Sequence, residues 1–314
     1  MPSKAPGTVP PWIIQNNKPT AVQQSMLGGT KVLVGTPMYG GQCSGLFSVS
    51  TNGLTRQYAN LGKANNIDFH FLFNESLVQR GRNAVAHYFM ECSDASYLLF
   101  IDADIGFIPE QAMELILMAK AKNLKIAGAS YSKKQINWDG IKKAMAAGIP
   151  DHHLMHCAGS HVLIFDPKHA TGNVYEPFPV KYLGTGFMLI HRSAFIDFQK
   201  QFPESWYHNN HIPSVENGCK VWNYFQCPVA NDVGPTGDPF RVLLSEDYYF
   251  CRTLAELEIP IYYAPWILLK HHGSFVYEGC VSCTNGSYIH GIGQKKLDTP
   301  PQKPHNKKGR GTKE

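Results

Sequence analysis

No run in this sequence approaches the roughly 18 consecutive apolar residues needed to cross a bilayer, so no membrane span is expected. The first residues, MPSKAPGTVPPW, lack the basic-then-apolar layout of a secretory signal, and the expectation is a soluble chain with a cytoplasmic location. Charge is sparse: Asp, Glu, Lys and Arg make up 17% of the chain against 43% hydrophobic residues, which excludes a disordered protein and leaves enough apolar surface for a sizeable core. A compact cysteine framework is also missing. The eight cysteines, Cys43, Cys92, Cys157, Cys219, Cys227, Cys251, Cys280 and Cys283, are scattered, and most are expected to stay reduced. No internal repeat is present, which excludes a solenoid.

What the chain does contain is an alternation of strand-like and helix-like segments. After about 30 residues rich in Pro, Asn, Gln and Thr, read as an arm on the surface, comes the apolar strand KVLVG at 31–35. Its loop, Thr36-Pro37-Met38-Tyr39-Gly40-Gly41, has the glycines that let backbone approach a ligand. A helix is expected over 44–63, with Leu46, Val49, Leu54, Tyr58 and Leu61 facing the core. A strand at 67–73, a helix at 75–90, a strand ending at Asp102, a helix at 109–122 and a strand at 125–130 follow. These short spacings predict an α/β fold with a mostly parallel central sheet flanked by helices, and with ligands at the carboxyl ends of the strands. The second half is less regular. It predicts a helix at 138–147, short strands near 161–165 and 180–182, a glycine turn into a strand at 183–190, and a helix from Ser193. An irregular insertion at 203–241, a helix at 245–257 and a strand at 261–269 complete it.

The most specific segment is YLLFIDADIGF at 97–107, an apolar strand ending in Asp102 and Asp104. Two carboxylates two residues apart repel each other and lose hydration, and an oxygen-seeking Mn2+ or Mg2+ offsets that cost. Strand alternation would put both on one side, with Ala103 pointing away. The competing reading is a pair of solvated loop carboxylates at the entry to a helix that starts near Pro109.

In order along the chain, the loop 36–39, QRGRN at 79–83, FIDADIGF at 100–107, GTGF at 184–187, SED at 245–247 and KHHG at 270–273 resemble a nucleotide-sugar-dependent glycosyltransferase of the GT-A type. The likeness is to the family-two enzymes found in bacteria and large DNA phages; for a viral chain the location would be the host cytoplasm. The resemblance runs from about Lys31 to His272 and implies a single Rossmann-like catalytic domain over 31–293, with the basic tail 294–314 beyond it. It implies a base-binding role for Thr36, Pro37, Met38 and Tyr39, and nucleotide contacts from Arg80, Arg82 and Asn83. Asp102 would meet the ribose or the cation, and Asp104 the cation, with His271 or its neighbour His272 as a further ligand. Gly184 and Gly186 would let the sugar lie against backbone. Asp247 would be the catalytic base with Glu246 as its substitute, unless the pair merely favours a helix N-terminus. Imidazole beside carboxylates suits Mn2+ better than Mg2+.

The resulting expectation is a metal-dependent transferase moving a sugar from a nucleoside diphosphate donor to a hydroxyl acceptor. Nucleotidyl transfer is the alternative on the same fold, although no glycine-rich, Lys/Arg-containing triphosphate loop follows the first strand. A non-catalytic carbohydrate or nucleic-acid binding module is another, with Trp206, Tyr207, Trp222, Tyr224 and Phe225 either stacking on rings or filling a core. The net charge of +5 and the lysine-rich tail after Gly293 make DNA with a hydroxyl-modified base a candidate acceptor alongside a glycan; the plainer reading of the tail is a solubilising terminus. Cys280 and Cys283, with Cys219 and Cys227, have part of the spacing of a structural Zn2+ site; free thiols are the other reading.

Overall fold

The computed structural model describes residues 9–164, 173, 175–210, 212, 215–233 and 238–274. Its centre is a seven-stranded sheet. The strands are β1 (Val32–Met38), β2 (Ile67–Phe73), β3 (Tyr97–Ile101), β4 (Ile126–Gly128), β5 (Phe178–Val180), β6 (Phe187–His191) and β7 (Ile261–Tyr263). They are ordered β2-β1-β3-β6-β4-β7-β5. β1 pairs in parallel with β2 and β3, and β4 with β7, whereas β6 runs against both β3 and β4, and β5 against β7. The sheet is therefore mixed but mostly parallel, and flanked by helices as expected. This architecture is compatible with a Rossmann-like GT-A fold.

Strand alternation divides the core between the two faces. From β3, Tyr97, Leu99 and Ile101 join the side covered by α1 (Ala21–Gly28), α2 (Gly45–Asn60) and α4 (Pro109–Ala121). Leu98 and Phe100 join the side covered by α3 (Val78–Cys92), α6 (Arg192–Gln201) and α7 (Glu246–Glu256). A further helix, α5 (Trp138–Ala146), follows β4. All five residues of β3 are buried, so the strand that delivers the paired carboxylates is fixed from both faces.

Several elements differ from the sequence expectation. Leu46 and Val49 are 40% and 73% exposed, and the inward stripe of α2 is Phe47, Ser50, Leu54 and Tyr58. Ser50 is tolerated there because its hydroxyl donates to Phe107 O at 2.7 Å and accepts from Phe107 N at 2.9 Å. The segment before β1, expected as a surface arm, contributes α1 and buries Trp12, Ile14 and Leu27. The strand expected over 261–269 stops at Tyr263, ahead of Pro265, which has no N–H for a ladder; Lys270–His271 instead pairs antiparallel with Ile105–Gly106. Within the insertion at 203–241 lie two short hairpins, Trp206–His208 with Lys220–Trp222 and Val229–Val233 with Pro239–Leu243. Tyr224 and Phe225 are fully buried and belong to the core, not to a stacking surface.

The described residues up to Gly273 form one compact unit, and beyond it only Ser274 is described. The basic tail, Cys280 and Cys283 thus lie outside the described residues.

Candidate functional site

Because β1, β2 and β3 are parallel, the loops at their carboxyl ends meet at one edge of the sheet. There they enclose a cleft of about 430 Å3 whose walls include Pro37, Tyr39, Ser44, Glu75, Asp102, Asp104 and His272. Ser44 caps α2 by accepting from Phe47 N, and its own N–H donates to Ala103 O at 2.8 Å, so the helix N-terminus is tied to the carboxylate segment. Tyr39 is 73% exposed at the rim. Thr36, assigned to base binding with it, is fully buried inside β1 and has no hydrogen-bond partner for its hydroxyl.

Asp102 and Asp104 do not keep the strand alternation expected of them. The chain turns after β3, with Ile105 N donating to Asp102 O at 3.0 Å, and each carboxylate meets different partners. Asp102 is held by Arg82, whose Nη2 lies 3.0 Å from Oδ1 and 3.1 Å from Oδ2. The Nε of the same guanidinium donates to Glu246 Oε1 at 3.0 Å. Arg82 is 3% exposed and its Nη1 has no partner. Burial opposes its charge, but Asp102 and Glu246 together hold it firmly protonated. The residue expected to contact the nucleotide is thus the link between the Asp102 turn and the acidic pair at the start of α7. Arg80 is also engaged, by a two-point pair with Glu75 at 2.7 and 2.8 Å. Asn83 braces the loop at 223–225, bonding Asn223 Oδ1 and both the N–H and C=O of Phe225.

Asp247, beside Glu246, is buried and accepts from the Ser245 hydroxyl and from Tyr248 N. Burial first, and the charge of Glu246 second, raise its pKa. Such a carboxylate takes up a proton more readily than an exposed one.

Gly184 and Gly186 lie against Tyr131 and Asp102. A Cβ on Gly184 would lie 2.5 Å from Tyr131 Oη, and one on Gly186 would lie 2.7 Å from the Tyr131 ring and 2.8 Å from Asp102 Oδ2. The glycines make room for a buried tyrosine packed against the carboxylate. Tyr131 has no motif around it that would have singled it out.

Asp104 lies on the other side of the turn. His271 Nδ1 sits 2.7 Å from Ser132 O, an acceptor only, so that nitrogen carries the proton, and Nε2 faces Asp104 Oδ2 at 3.3 Å. Lys134 Nζ is 2.5 Å from the same oxygen. Burial would raise the Asp104 pKa, but hydrogen bonds and charge from His271 and Lys134 bring it down to about 2. His271 moves the opposite way: burial opposes its charge, and Asp104 and the Ser132 carbonyl raise its pKa overall. The Nδ1 donation to a carbonyl is the kind that orients a metal-ligating histidine, but here Nε2 faces a carboxylate in an ion pair. Among the described residues no group of three or more His, Cys, Asp or Glu converges to hold a metal ion. Asp104 and His271 are two donors, and a hard cation held by them would have to take its remaining oxygens from phosphate or water. His272 lines the cleft and donates its N–H to Asp104 O at 2.8 Å. Cys219 and Cys227 are free thiols, and Cys219 Sγ lies 3.8 Å from His87 Nε2.

No protein-family model matches the chain, and no curated protein matches it. Among solved structures it is similar to A197 from STIV (14% identity, TM-score 0.41, covering 78% of this chain and 86% of that one). It is similar also to GalNAc-T7 solved with UDP, GalNAc and Mn2+ (8% identity, TM-score 0.43), covering 77% of this chain but only 44% of that longer one. A third is apo UDP-glucose pyrophosphorylase (10% identity, TM-score 0.29, covering 66% and 77%). At these values the likenesses assign neither family nor activity.

Proposed function

We propose that this chain is a divalent-cation-dependent glycosyltransferase that moves a sugar from a nucleoside diphosphate to a hydroxyl acceptor. The observation that carries this reading is the chain of ion pairs Asp102–Arg82–Glu246, which joins the carboxylate turn at the cleft to the acidic pair on α7. A donor-binding function and a proton-accepting function need that proximity, and Arg82 supplies it.

In this reading Pro37 and Tyr39 form the wall against which the base lies, and the amino end of α2 at Ser44 favours the diphosphate. Asp102, its orientation fixed by two contacts from one guanidinium nitrogen, accepts from the ribose hydroxyls. Asp104 and His271 hold the cation, which would neutralise charge on the departing diphosphate. Asp247 takes the acceptor proton, its affinity for protons raised by burial. Glu246, held by Arg82, keeps Asp247 in a field of negative charge. A glycan hydroxyl and a hydroxyl-modified DNA base are both acceptors of the required chemistry.

Calorimetry of the chain with a panel of nucleoside diphosphate sugars and Mn2+ tests the reading. Binding of at least one, lost in Asp104→Ala while the fold persists, supports it; no binding by the unaltered chain rejects it. Pyrophosphate release from a nucleoside triphosphate, with no sugar transfer, would favour nucleotidyl transfer instead.

A further inference from the structure

Lys134 has no place in the motifs of the sequence, yet it makes the shortest contact to Asp104 in the cleft, 2.5 Å from Oδ2. Its path there is built. The stem of the side chain crosses Gly273, where an added Cβ would lie 2.8 Å from Lys134 Cδ, and the segment carrying Lys134 is held by the Ser132 carbonyl on His271 and by Lys133 N on Ser160 O at 2.7 Å. The Lys134 side chain is 45% exposed, so the pair is weak enough to exchange. An ammonium and a divalent ion on one carboxylate oxygen repel each other, so each weakens the other's hold on it. The four-carbon stem is long enough to swing the charge from Asp104 toward phosphates in the adjoining cleft.

Resting on the function proposed above, we propose that Lys134 is a tethered counter-ion: it competes with the divalent cation for Asp104, and when displaced it binds the donor diphosphate. The residue would thereby couple cation entry to donor capture, because the ammonium is released to the phosphates only when the carboxylate has another partner. No such role follows from a solvated surface lysine.

Two titrations on the full chain decide it. Mn2+ is titrated alone into the unaltered chain and into Lys134→Met, and then UDP, with GDP and CDP in parallel, is titrated at saturating Mn2+. Removing the competing charge should tighten Mn2+ by about fivefold to tenfold and weaken the nucleoside diphosphate by a similar factor. Gly273→Ala, which displaces the lysine stem without removing its charge, should shift both constants in the same directions by less, and circular dichroism checks that both variants fold. Mn2+ binding that is unchanged or weaker in Lys134→Met overturns the competition, and diphosphate binding that is unchanged overturns the second half. If the unaltered chain binds Mn2+ but none of the diphosphates, the proposed function fails along with this role, whereas normal diphosphate binding by both proteins removes the lysine's role alone.

Discussion

Arg82 holds the site's two acidic regions together, and its worth is best judged by what its removal leaves behind. Truncating one member of a buried ion-pair network costs about 3–5 kcal/mol, mostly because the remaining charges lose their partner. Arg82→Met should therefore lower the stability of the chain by about 3 kcal/mol in a denaturant titration. A loss well short of that would show that packing against Phe100, 5.4 Å away, matters more than charge.

Asp247 predicts the opposite sign. Its raised pKa means that the folded chain binds that proton more tightly than the unfolded one. The native state is thus relatively most stable below the unfolded carboxyl pKa, and it loses that advantage as pH rises through the folded value. Asp247→Asn, which keeps an oxygen to accept from Ser245 and Tyr248, should raise the denaturation midpoint at pH 7 while abolishing transfer. A lowered midpoint would mean that the carboxylate is structural.

For Asp104 and His271 the two shifts bound a window. Asp104 contributes stability above its ordinary 3.8 that is lost as pH falls toward about 2. His271 contributes stability below its ordinary 6.5 that is lost as pH rises through its higher folded pKa. The pair therefore supports the fold most between about pH 4 and 6.5. NMR titration should find His271 above 6.5 in the unaltered chain and lower in Asp104→Asn; an unmoved value would contradict the contact. The acidic residues of the site were legible because carboxylates beside apolar runs are costly and stand out. Tyr131 and Lys134 were not, because a tyrosine and a lysine in the loop after β4 look like any others until Gly184, Gly186 and Gly273 are seen to leave room for them.

Among the elements, the segment before β1 shows where pattern reading loses sight of packing. Its composition is polar, yet Glu114 on α4 accepts from Ile14 N at 2.8 Å and from Trp266 Nε1 at 3.0 Å, and the rings of Trp12 and Trp266 lie tilted to each other with centroids 6.5 Å apart. One buried carboxylate joins both ends of the described fold to a central helix. Burial raises the Glu114 pKa. Glu114→Ala strands two donors and should cost about 2–3 kcal/mol, with amide exchange rising first at residues 12–28. Protection unchanged there would show that the apolar contacts of Leu27 suffice. The regular helices and the long strands were readable because their apolar residues recur at 3.6 or 2. The two hairpins within 203–241 were not, since strands of three to five residues carry too few alternations to register. The inward stripe of α2 was misread for a chemical reason: Ser50 lies in it, paired with Phe107 backbone, so the true face looks polar.

For the whole molecule, the mixed sheet places the candidate site. Only the carboxyl edge of β1, β2 and β3 brings together the loops at 37–44, 73–78 and 102–104, and β6, running the other way, contributes its amino end, with Asp102 N bonded to Gly186 O at 3.0 Å. The sequence predicted that edge from the strand–helix alternation, but not the reversal of β6, which no local pattern encodes. The central claim is that this edge binds a sugar nucleotide and that Asp247 acts on the acceptor bound beside it. It is tested most directly by mass spectrometry of a mixture of the chain, Mn2+, a panel of nucleoside diphosphate sugars, and glycan and hydroxymethylated-DNA acceptors, run beside Asp247→Asn. The account predicts an acceptor heavier by one sugar residue with the unaltered chain, and none with Asp247→Asn although that variant still binds the donor. Full transfer by Asp247→Asn, or donor binding by neither protein, would contradict it.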